Sequence, residues 1–250
     1  QSEPFLSEDI AGGMEIGSDA SLNPMALCQG LALGFFRLGG KVFLQTEVNS
    51  IGLNSSKAIE YVHTNRGKFL TKAVIACAGV GTRRLGQMVN LHIPIEPRQG
   101  QVLVTEKTGC VAERILMEFG YMAAKFGDGS YRRNVTAEME EFGTAMVFEP
   151  VKAGNFLIGS SRQLSGHSTA THRKCLRSIA QRAIRFLPII KEIKAIRSYA
   201  GLRPFAPDHL PVISPTEISG FFVGAGHEGD GIALSLITGQ LLTEMLTGRH

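Results

Sequence analysis

The sequence predicts a mixed fold in two parts, an α/β layer and an α+β part with a large antiparallel sheet. Near the C-terminus a short apolar strand signal passes through glycines into a long apolar helix, Gly220–Leu246. Several short strand signals follow one another between residues 94 and 161, which is typical of an antiparallel sheet rather than of repeated βαβ units. Residues 176–187 then show the apolar period of an amphipathic helix.

The composition is that of a globular protein with no membrane or disulfide signature. Of 250 residues 44% are hydrophobic and 19% charged, which argues against disorder, and a net charge of +4 makes only a weak case for nucleic acid. The sequence contains no run of 18 or more apolar residues, so it predicts no membrane-spanning helix. The four cysteines stand far apart without a CxxC pair, so we expect no disulfide framework, no metal site and a reducing cytoplasm. They are Cys28, Cys77, Cys110 and Cys175.

The N-terminal third predicts one helix and three strands. Asn23-Pro24 is a helix-start signal and Gly39-Gly40 is a stop signal. Between them, one helical face is apolar and is formed by Leu27, Leu31, Phe35 and Leu38. Asn65-Arg66-Gly67 predicts a tight turn between two strands. The predicted strands are residues 42–51, 58–64 and 68–78, and the last of these is apolar on both faces, as in a buried strand.

The middle and end of the chain predict strands followed by two helices. The strand signals cover residues 101–106, 113–119, 121–126, 144–150 and 155–161. The helix at 176–187 has a basic opposite face that we expect to be solvated. Its basic residues are Arg173, Lys174, Arg177, Arg182 and Arg185. The helix at Ile232–Leu246 is apolar almost all round, which predicts that it is buried.

The segment Gly224–Ser235 is the strongest candidate ligand site. A strand that passes through glycines into a helix directs free backbone N–H groups and the positive end of the helix dipole at one spot, where a phosphate or another electron-rich group can bind. The glycines at Gly226, Gly229 and Gly231 would let a planar ligand approach the backbone, and His227 lies inside the turn. The alternative is a glycine-rich turn that only closes a packed strand–helix pair.

A second glycine-rich segment, Ala78–Gly86, follows the predicted buried strand. It approaches the dinucleotide fingerprint GxGxxG, but Arg84 occupies the position of the third glycine, and no convincing acidic residue follows at the end of a second strand about 20 positions on. The segment therefore predicts a strand-end loop that touches a cofactor held mainly elsewhere, rather than an independent NAD site.

Arg203 lies between glycine and proline in the segment Tyr199–Ser214, which is otherwise apolar and turn-forming. A fixed guanidinium is a natural receptor for a substrate carboxylate, because it offers two parallel N–H donors in one plane. The alternative is a structural arginine that pairs with a carboxylate or with backbone carbonyls. No serine, cysteine, histidine or carboxylate arrangement in the sequence predicts a nucleophilic triad or an acid–base couple.

These segments together resemble the D-amino-acid-oxidase-like family of FAD-dependent oxidoreductases. The resemblance rests on AGLRPFAPDHLPVIS at 200–214, GFFVGAGHEGDGIALSLITGQLL at 220–242 and PIEPRQGQVLVTE at 94–106. It extends over nearly the whole chain from about Gly13, and the combination is more specific than any single segment. Glycine and sarcosine oxidases, D-amino-acid dehydrogenases and the flavin subunits of proline, hydroxyproline and opine dehydrogenases belong to this family.

The resemblance implies a Rossmann-type FAD domain from residues 17–90 and 198–250, and a substrate domain with a large antiparallel sheet from 1–16 and 91–197. It implies that Val48 lies at the adenine and that Ala78 and Gly79 border the pyrophosphate. The flavin ring and ribityl chain would meet Gly226 to Ile232, including His227, Gly229, Asp230 and Gly231. Arg203 would hold the substrate carboxylate. The family's first nucleotide-binding motif, GxGxxG, has no counterpart here, so we expect an incomplete FAD domain and weak flavin binding by these 250 residues alone.

The implied reaction is oxidation of the C–N bond of an amino acid or N-substituted amino acid. Hydride passes to flavin N5 and an imine forms, and this chemistry belongs to the cofactor rather than to a protein base. The expected partners are the small-molecule substrate and other dehydrogenase subunits in a hetero-oligomer. Two alternatives remain: a flavoenzyme of the same fold acting on another substrate such as glycerol phosphate, and a non-catalytic or electron-relay scaffold subunit.

Overall fold

The computed structural model describes residues 3–126 and 131–249, which form two compact units. One unit comprises Gln1–Gly13 and Pro97–Arg203, and the other comprises Met14–Glu96 and Pro204–His250. We call the first the sheet unit and the second the strand–helix unit. Residues 1–2 and 250, at the outer ends of the predicted domains, lie outside the described residues. Residues 127–130 of the predicted substrate domain also lie outside them.

Six α-helices and eleven strands are assigned in the described part of the chain. They are α1 Pro24–Arg37, β1 Val48–Leu53, β2 Ile59–Thr64, β3 Gly67–Leu70, β4 Val74–Ala76, α2 Thr82–Gln87, β5 Glu96–Thr105, β6 Leu116–Met117, α3 Phe119–Phe126, α4 Ala137–Glu141, β7 Val147–Pro150, β8 Phe156–Gly159, α5 Arg173–Phe186, β9 Ala195–Phe205, β10 Val212–Pro215, β11 Phe221–Ala225 and α6 Gly231–Thr247.

The strand–helix unit contains two small sheets and the helices α1, α2 and α6. β1, β2 and β3 form an antiparallel sheet, with the predicted turn at Asn65-Arg66 between β2 and β3. In the second sheet, of order β10-β11-β4, β11 runs parallel to β4 and antiparallel to β10. α1 begins as predicted, because the Asn23 side chain accepts hydrogen bonds from the N–H groups of Met25 and Ala26. Buried Ile59, Phe221 and Val223 belong to the unit's apolar core.

The sheet unit is built on a five-stranded sheet of order β6-β7-β8-β5-β9. The pairs β6–β7, β7–β8 and β8–β5 are antiparallel, which confirms the antiparallel sheet predicted from the run of short strands. Phe148 and Ile158 belong to the same apolar core as Ile179 and Ala183 of α5, so this face of the sheet is covered by that helix. The alternate residues of the strands lie on the opposite face.

Two predicted strands in the strand–helix unit have different bounds. The strand predicted at 42–51 begins only at Val48, because a turn at Leu44 and Gln45, with φ of 53° at Gln45, precedes it. The strand predicted at 68–78 is divided into β3 and β4, which lie in different sheets. Between them the Thr71 hydroxyl donates to the carbonyl of Ala73 over 2.8 Å, and the chain turns from one sheet to the other.

In the sheet unit the prediction of a strand at 121–126 was wrong. These residues form α3, a helix whose apolar run is as short as a strand's, and periodicity cannot separate the two at that length. The strand predicted at 113–119 is reduced to Leu116–Met117, and the strand at 144–150 begins at Val147.

The expected exposure of two helices also needs correction. α6 was predicted to be buried, yet only Thr238 and Leu242 are buried in it, and Leu236 is 70% exposed. The neighbouring elements of its unit cover one side of the helix, so an apolar side remains uncovered. On α5, Arg182 was expected to be solvated, but its side chain is mostly buried in an ion pair with Glu118.

No helix in the described ranges is long and apolar enough to cross a membrane.

Candidate functional site

The turn between β11 and α6 is a tightly constrained backbone loop. Gly226 has a φ of 84°, and a Cβ added there would lie 2.9 Å from the Cδ1 of Ile95, so only glycine fits. The N–H of Glu228 donates to the carbonyl of Pro204, and the N–H of Asp230 donates to the carbonyl of His227. The loop is thereby held on both sides as it enters the helix.

The N-terminus of α6 presents backbone donors at the end of this loop. Asp230 is the N-cap residue, but its side chain makes no capping hydrogen bond to the helix. A helix of 17 residues begins here with N–H groups of its first turn and the positive end of its dipole directed outward. A Cβ added at Gly231 would meet only the Cβ of His227, at an ordinary 3.4 Å, so the space beside this residue is open. The loop and helix end fit a planar, electron-rich group.

His227 links the loop to the second turn of α6. Its Nε2 lies 2.9 Å from the Oγ1 of Thr238, and that hydroxyl already donates to the carbonyl of Leu234 over 2.8 Å. Because the hydroxyl has one proton, we infer that Nε2 carries hydrogen and donates to Thr238. Burial lowers the pKa of His227, although the carboxylate of Asp230 opposes part of the shift. At neutral pH the ring is therefore uncharged, and its hydrogen bond to Thr238 stabilises the turn.

The parallel pairing of β4 and β11 brings the two glycine-rich segments to one sheet edge. Val223 is paired with Ala76, so the loops that follow the two strands leave from the same edge. Ligands of open α/β sheets bind outside the carboxyl ends of such strands. The N–H of Ala78 donates to the hydroxyl of Thr82, and a Cβ added at Gly79 would meet no atom within 4 Å. Ala78 and Gly79 thus leave open space at this edge.

Val48 lies in the first position of β1, opposite Thr64 and not in the sheet of β4 and β11. Its side chain packs against the apolar core of the strand–helix unit. The preceding residue, Glu47, forms an exposed ion pair of 2.8 Å with Arg84 of α2. This contact places the start of β1 beside the helix that follows the Ala78–Gly79 loop.

Arg203 lies in the sheet unit, half-buried near the end of β9. Its Nη1 donates to the carbonyl of Ser161 over 3.0 Å, so the alternative of a backbone partner is met for one of its donors. The guanidinium lies directly against Gly100 of β5, where any Cβ would overlap it. Arg203 also borders a cavity of about 160 Å³. The guanidinium is thus held by two backbone contacts at the wall of this cavity.

Three of the other residues lining this cavity were not identified from the sequence. They are Tyr121 of α3, Glu149 of β7 and Tyr199 of β9. The period-two alternation of the strands was the available signal for the last two, since Phe148 next to Glu149 packs in the core. Tyr121 gave no such signal, because its short apolar segment fits a strand as well as the helix α3 that it forms. Among the described residues no group of three His, Cys, Asp or Glu side chains could hold a metal ion.

Comparison with known proteins gives one family and a set of relatives. A family model described as FAD dependent oxidoreductase matches residues 1–245. The chain is 28% identical to hydrogen cyanide synthase subunit HcnC of Pseudomonas protegens, over 98% of this chain and 53% of that protein. It is 27% identical to glycine oxidase of Geobacillus kaustophilus, over 98% of this chain and 58% of that protein. The chain spans about half the length of the curated relatives it matches.

The solved structures agree with the sequence matches. The crystal structure of glycine oxidase from Geobacillus kaustophilus superimposes with a TM-score of 0.82 and 25% identity, over the whole of this chain and 60% of that one. L-proline dehydrogenase from P. horikoshii gives a TM-score of 0.76 at 20% identity, over 90% of this chain and 55% of that one, and is similar in fold. The predicted mixed fold with a large antiparallel sheet is confirmed.

Proposed function

The chain belongs to the family of FAD-dependent oxidoreductases, and from this premise we propose that it contributes to the oxidation of a C–N bond in an amino acid or N-substituted amino acid. FAD, when bound, supplies the chemistry by accepting a hydride from the carbon next to the amine, which leaves an imine. The residues of this chain bind and orient the cofactor and the substrate.

We assign FAD binding to the strand–helix unit. The open N-terminus of α6, with the loop from Gly226 to Ile232, would lie at the flavin ring, where its N–H groups and dipole favour a reduced, electron-rich ring edge. Ala78 and Gly79 would border the pyrophosphate, where a parallel strand ends and no side chain blocks approach. Val48 would contact the adenine through its backbone.

We assign substrate binding to the sheet unit, and the position of Arg203 supports this assignment most directly. The guanidinium is held against Gly100 and the Ser161 carbonyl at the wall of a cavity. A guanidinium has five N–H donors in a rigid plane, so it can donate to a substrate carboxylate while it keeps its hydrogen bond to a backbone carbonyl. Arg203 would fix the substrate carboxylate and so align the amine-bearing carbon, which supplies much of the rate.

The test of this proposal is Arg203→Ala, made in the protein expressed from its complete gene. We expect kcat/KM for an amino acid to fall about 100-fold or more, because a charged bidentate contact in a desolvated site contributes a few kcal/mol. Arg203→Lys should recover only part of the loss. Flavin content should stay near that of wild type.

The informative comparison is between the amino acid and its decarboxylated amine. Wild type should prefer the amino acid strongly, and Arg203→Ala should lose most of that preference. Arg197→Ala is the matched control, because Arg197 is exposed on the same strand and does not line the cavity. If wild type and Arg203→Ala discriminate equally between the two substrates, Arg203 does not hold the carboxylate.

We further propose that the protein acts as one subunit of a hetero-oligomer. The relative with 28% identity is named as a synthase subunit, which supports this proposal. Size-exclusion chromatography of the protein purified from its native source is the measurement, and elution as an isolated subunit would contradict it.

A phosphate ester is a poorer candidate substrate, because the cavity beside Arg203 is lined by the acidic Glu149 and by no second basic side chain among the described residues.

A further inference from the structure

The cavity beside Arg203 has an acidic wall for which the oxidation itself requires no role. Glu149 of β7 faces the cavity because its neighbour Phe148 faces the core, and Leu157, its partner on β8, lines the cavity as well. The carboxylate thus lies on the same face of the sheet as Arg203. It is half-buried, and within the described ranges it forms no ion pair and no side-chain hydrogen bond.

A carboxylate without an ion pair at a cavity wall attracts a positively charged group. Its field reaches across the cavity: burial raises the pKa of Tyr199, and the negative charge of Glu149 raises it further. Tyr121 and Tyr199 also line the cavity. Aromatic rings beside a carboxylate attract cations, and Tyr121 already lies 4.2 Å beneath the guanidinium of Arg162 on one side.

The sheet order separates the acidic wall from Arg203. β7 and β9 are three strand steps apart, so their backbones lie about 14 Å from each other across the sheet. Along the strands, Glu149 is level with Leu157, which pairs with Val104, whereas Arg203 lies against Gly100. An α-amine is too close to the carboxylate that Arg203 would hold to reach Glu149. A positive group at the end of a side chain of several carbons lies farther from that carboxylate, and we expect it to be the group that reaches Glu149.

We propose that Glu149, with the rings of Tyr121 and Tyr199, forms a subsite for a cationic side chain, so that the preferred substrates are amino acids that end in a guanidinium or an ammonium group. This inference rests on the proposed function, because it takes Arg203 as the carboxylate receptor. It makes Glu149 a specificity-determining residue rather than a residue of the oxidation chemistry.

The first experiment compares arginine with citrulline, which has nearly the same shape and no charge, in both enantiomers. Anaerobic reduction of the bound flavin is followed, so the natural electron acceptor is not needed. In wild type the second-order rate constant of flavin reduction should favour arginine by about tenfold or more, and in Glu149→Gln this ratio should fall about tenfold. Glu141→Gln, an exposed substitution on α4, is the matched control and should keep the ratio. A ratio near one in wild type, or an unchanged ratio in Glu149→Gln, would overturn the proposal.

The second experiment measures binding without turnover. 4-Guanidinobutanoate contains a carboxylate and a guanidinium but no α-amine, and pentanoate lacks the cation. Calorimetric titration should give about tenfold tighter binding of the guanidinium compound to wild type, and Glu149→Gln should remove most of this difference. Equal binding of the two compounds to wild type would refute the subsite.

The two failures are distinguishable. Neutral amino acids that reduce the flavin without any Glu149 dependence would refute the subsite and leave the proposed function standing. Guanidinobutanoate binding that depends on Glu149, with no amino acid reducing the flavin, would support the subsite and contradict the proposed oxidation.

Discussion

Gly226 and Gly231 are glycines for different physical reasons, although they lie five residues apart in one turn. Gly226 has a left-handed φ and faces Ile95, so the fold of the strand–helix unit itself requires it. Gly231 has no left-handed φ and faces open space, so the fold alone tolerates a side chain there. The proposed flavin site would explain a glycine at this position, where the fold does not require one.

Gly231→Val should therefore lower flavin content while it changes the free energy of unfolding by less than about 1 kcal/mol. Gly226→Ala should instead destabilise the protein by about 1–3 kcal/mol, because the residue is strained and overpacked. Flavin absorbance per protein and urea denaturation of the flavin-free form are the two measurements. Full flavin occupancy in Gly231→Val would show that the open space does not receive the ring.

His227 makes stability depend on pH. Its pKa is lowered in the folded protein, so folding favours the neutral ring; this stability is fully present above the unfolded value of 6.5 and is lost as pH falls through the folded pKa. Tm should fall as pH is lowered from 7 to 5. His227→Gln keeps a donor for Thr238 and does not titrate, so its Tm should fall less over this range. Superimposable Tm profiles for the two proteins would contradict this role.

At the scale of elements, a buried ion cluster joins the start of α3 to α5. Glu118, immediately before the helix, is almost fully buried between Arg182 of α5, at 2.5 Å, and Arg133, at 3.3 Å. Arg133 also donates to the carbonyl of Thr144, and Arg182 donates to that of Asn134. The cluster ties α3, which supplies Tyr121 to the cavity, to the core helix.

Glu118→Gln should destabilise the protein by about 3–5 kcal/mol, since it leaves two mostly buried guanidinium groups without their counter-charge. The matched control is Asp9→Asn, which breaks the exposed ion pair between Asp9 and Arg185, a residue of α5 like Arg182, and should destabilise the protein far less. Urea denaturation of both variants is the measurement. Equal effects of the two substitutions would mean that the buried cluster does not stabilise α3.

At the scale of the whole molecule, the two units have different architectures and different proposed tasks. Parallel strands end beside a helix N-terminus in one, and in the other an antiparallel sheet presents a cavity on the face opposite its core helix. Each arrangement is suited to one ligand: phosphate and ring edges bind at strand ends and helix N-termini, and small molecules bind in concave spaces.

We expect the protein expressed from its complete gene to show the absorption band of bound flavin, and anaerobic addition of an amino-acid substrate to bleach that band. Bleaching follows because a flavin that has accepted a hydride loses its oxidised chromophore. Absorption spectroscopy during anaerobic titration is the measurement. A purified protein without any flavin band would favour the scaffold alternative over an oxidoreductase.

Features that depend on local chemistry follow from the order of the residues alone. The cap at Asn23, the turn at Asn65-Arg66 and the passage from β11 through glycines into α6 each follow from a few neighbouring residues. The antiparallel sheet followed from spacing alone. Flavin chemistry came from the resemblance, since spacing indicated only an electron-rich ligand at the glycine-rich turn.

Which distant residues meet depends instead on how the strands and helices pack together. Glu149, Tyr199 and Arg203 line one cavity because β7 and β9 belong to the same sheet, and no local pattern specifies that pairing. Arg182 reads as a solvated helix residue until Glu118 is placed against it. The sequence of α3 predicts a strand, because a short apolar run fits the period of a strand and that of a helix equally well. Long-range packing selects between the two. Burial and electrostatic partnership depend on the elements that pack against a residue, and these come from far along the chain.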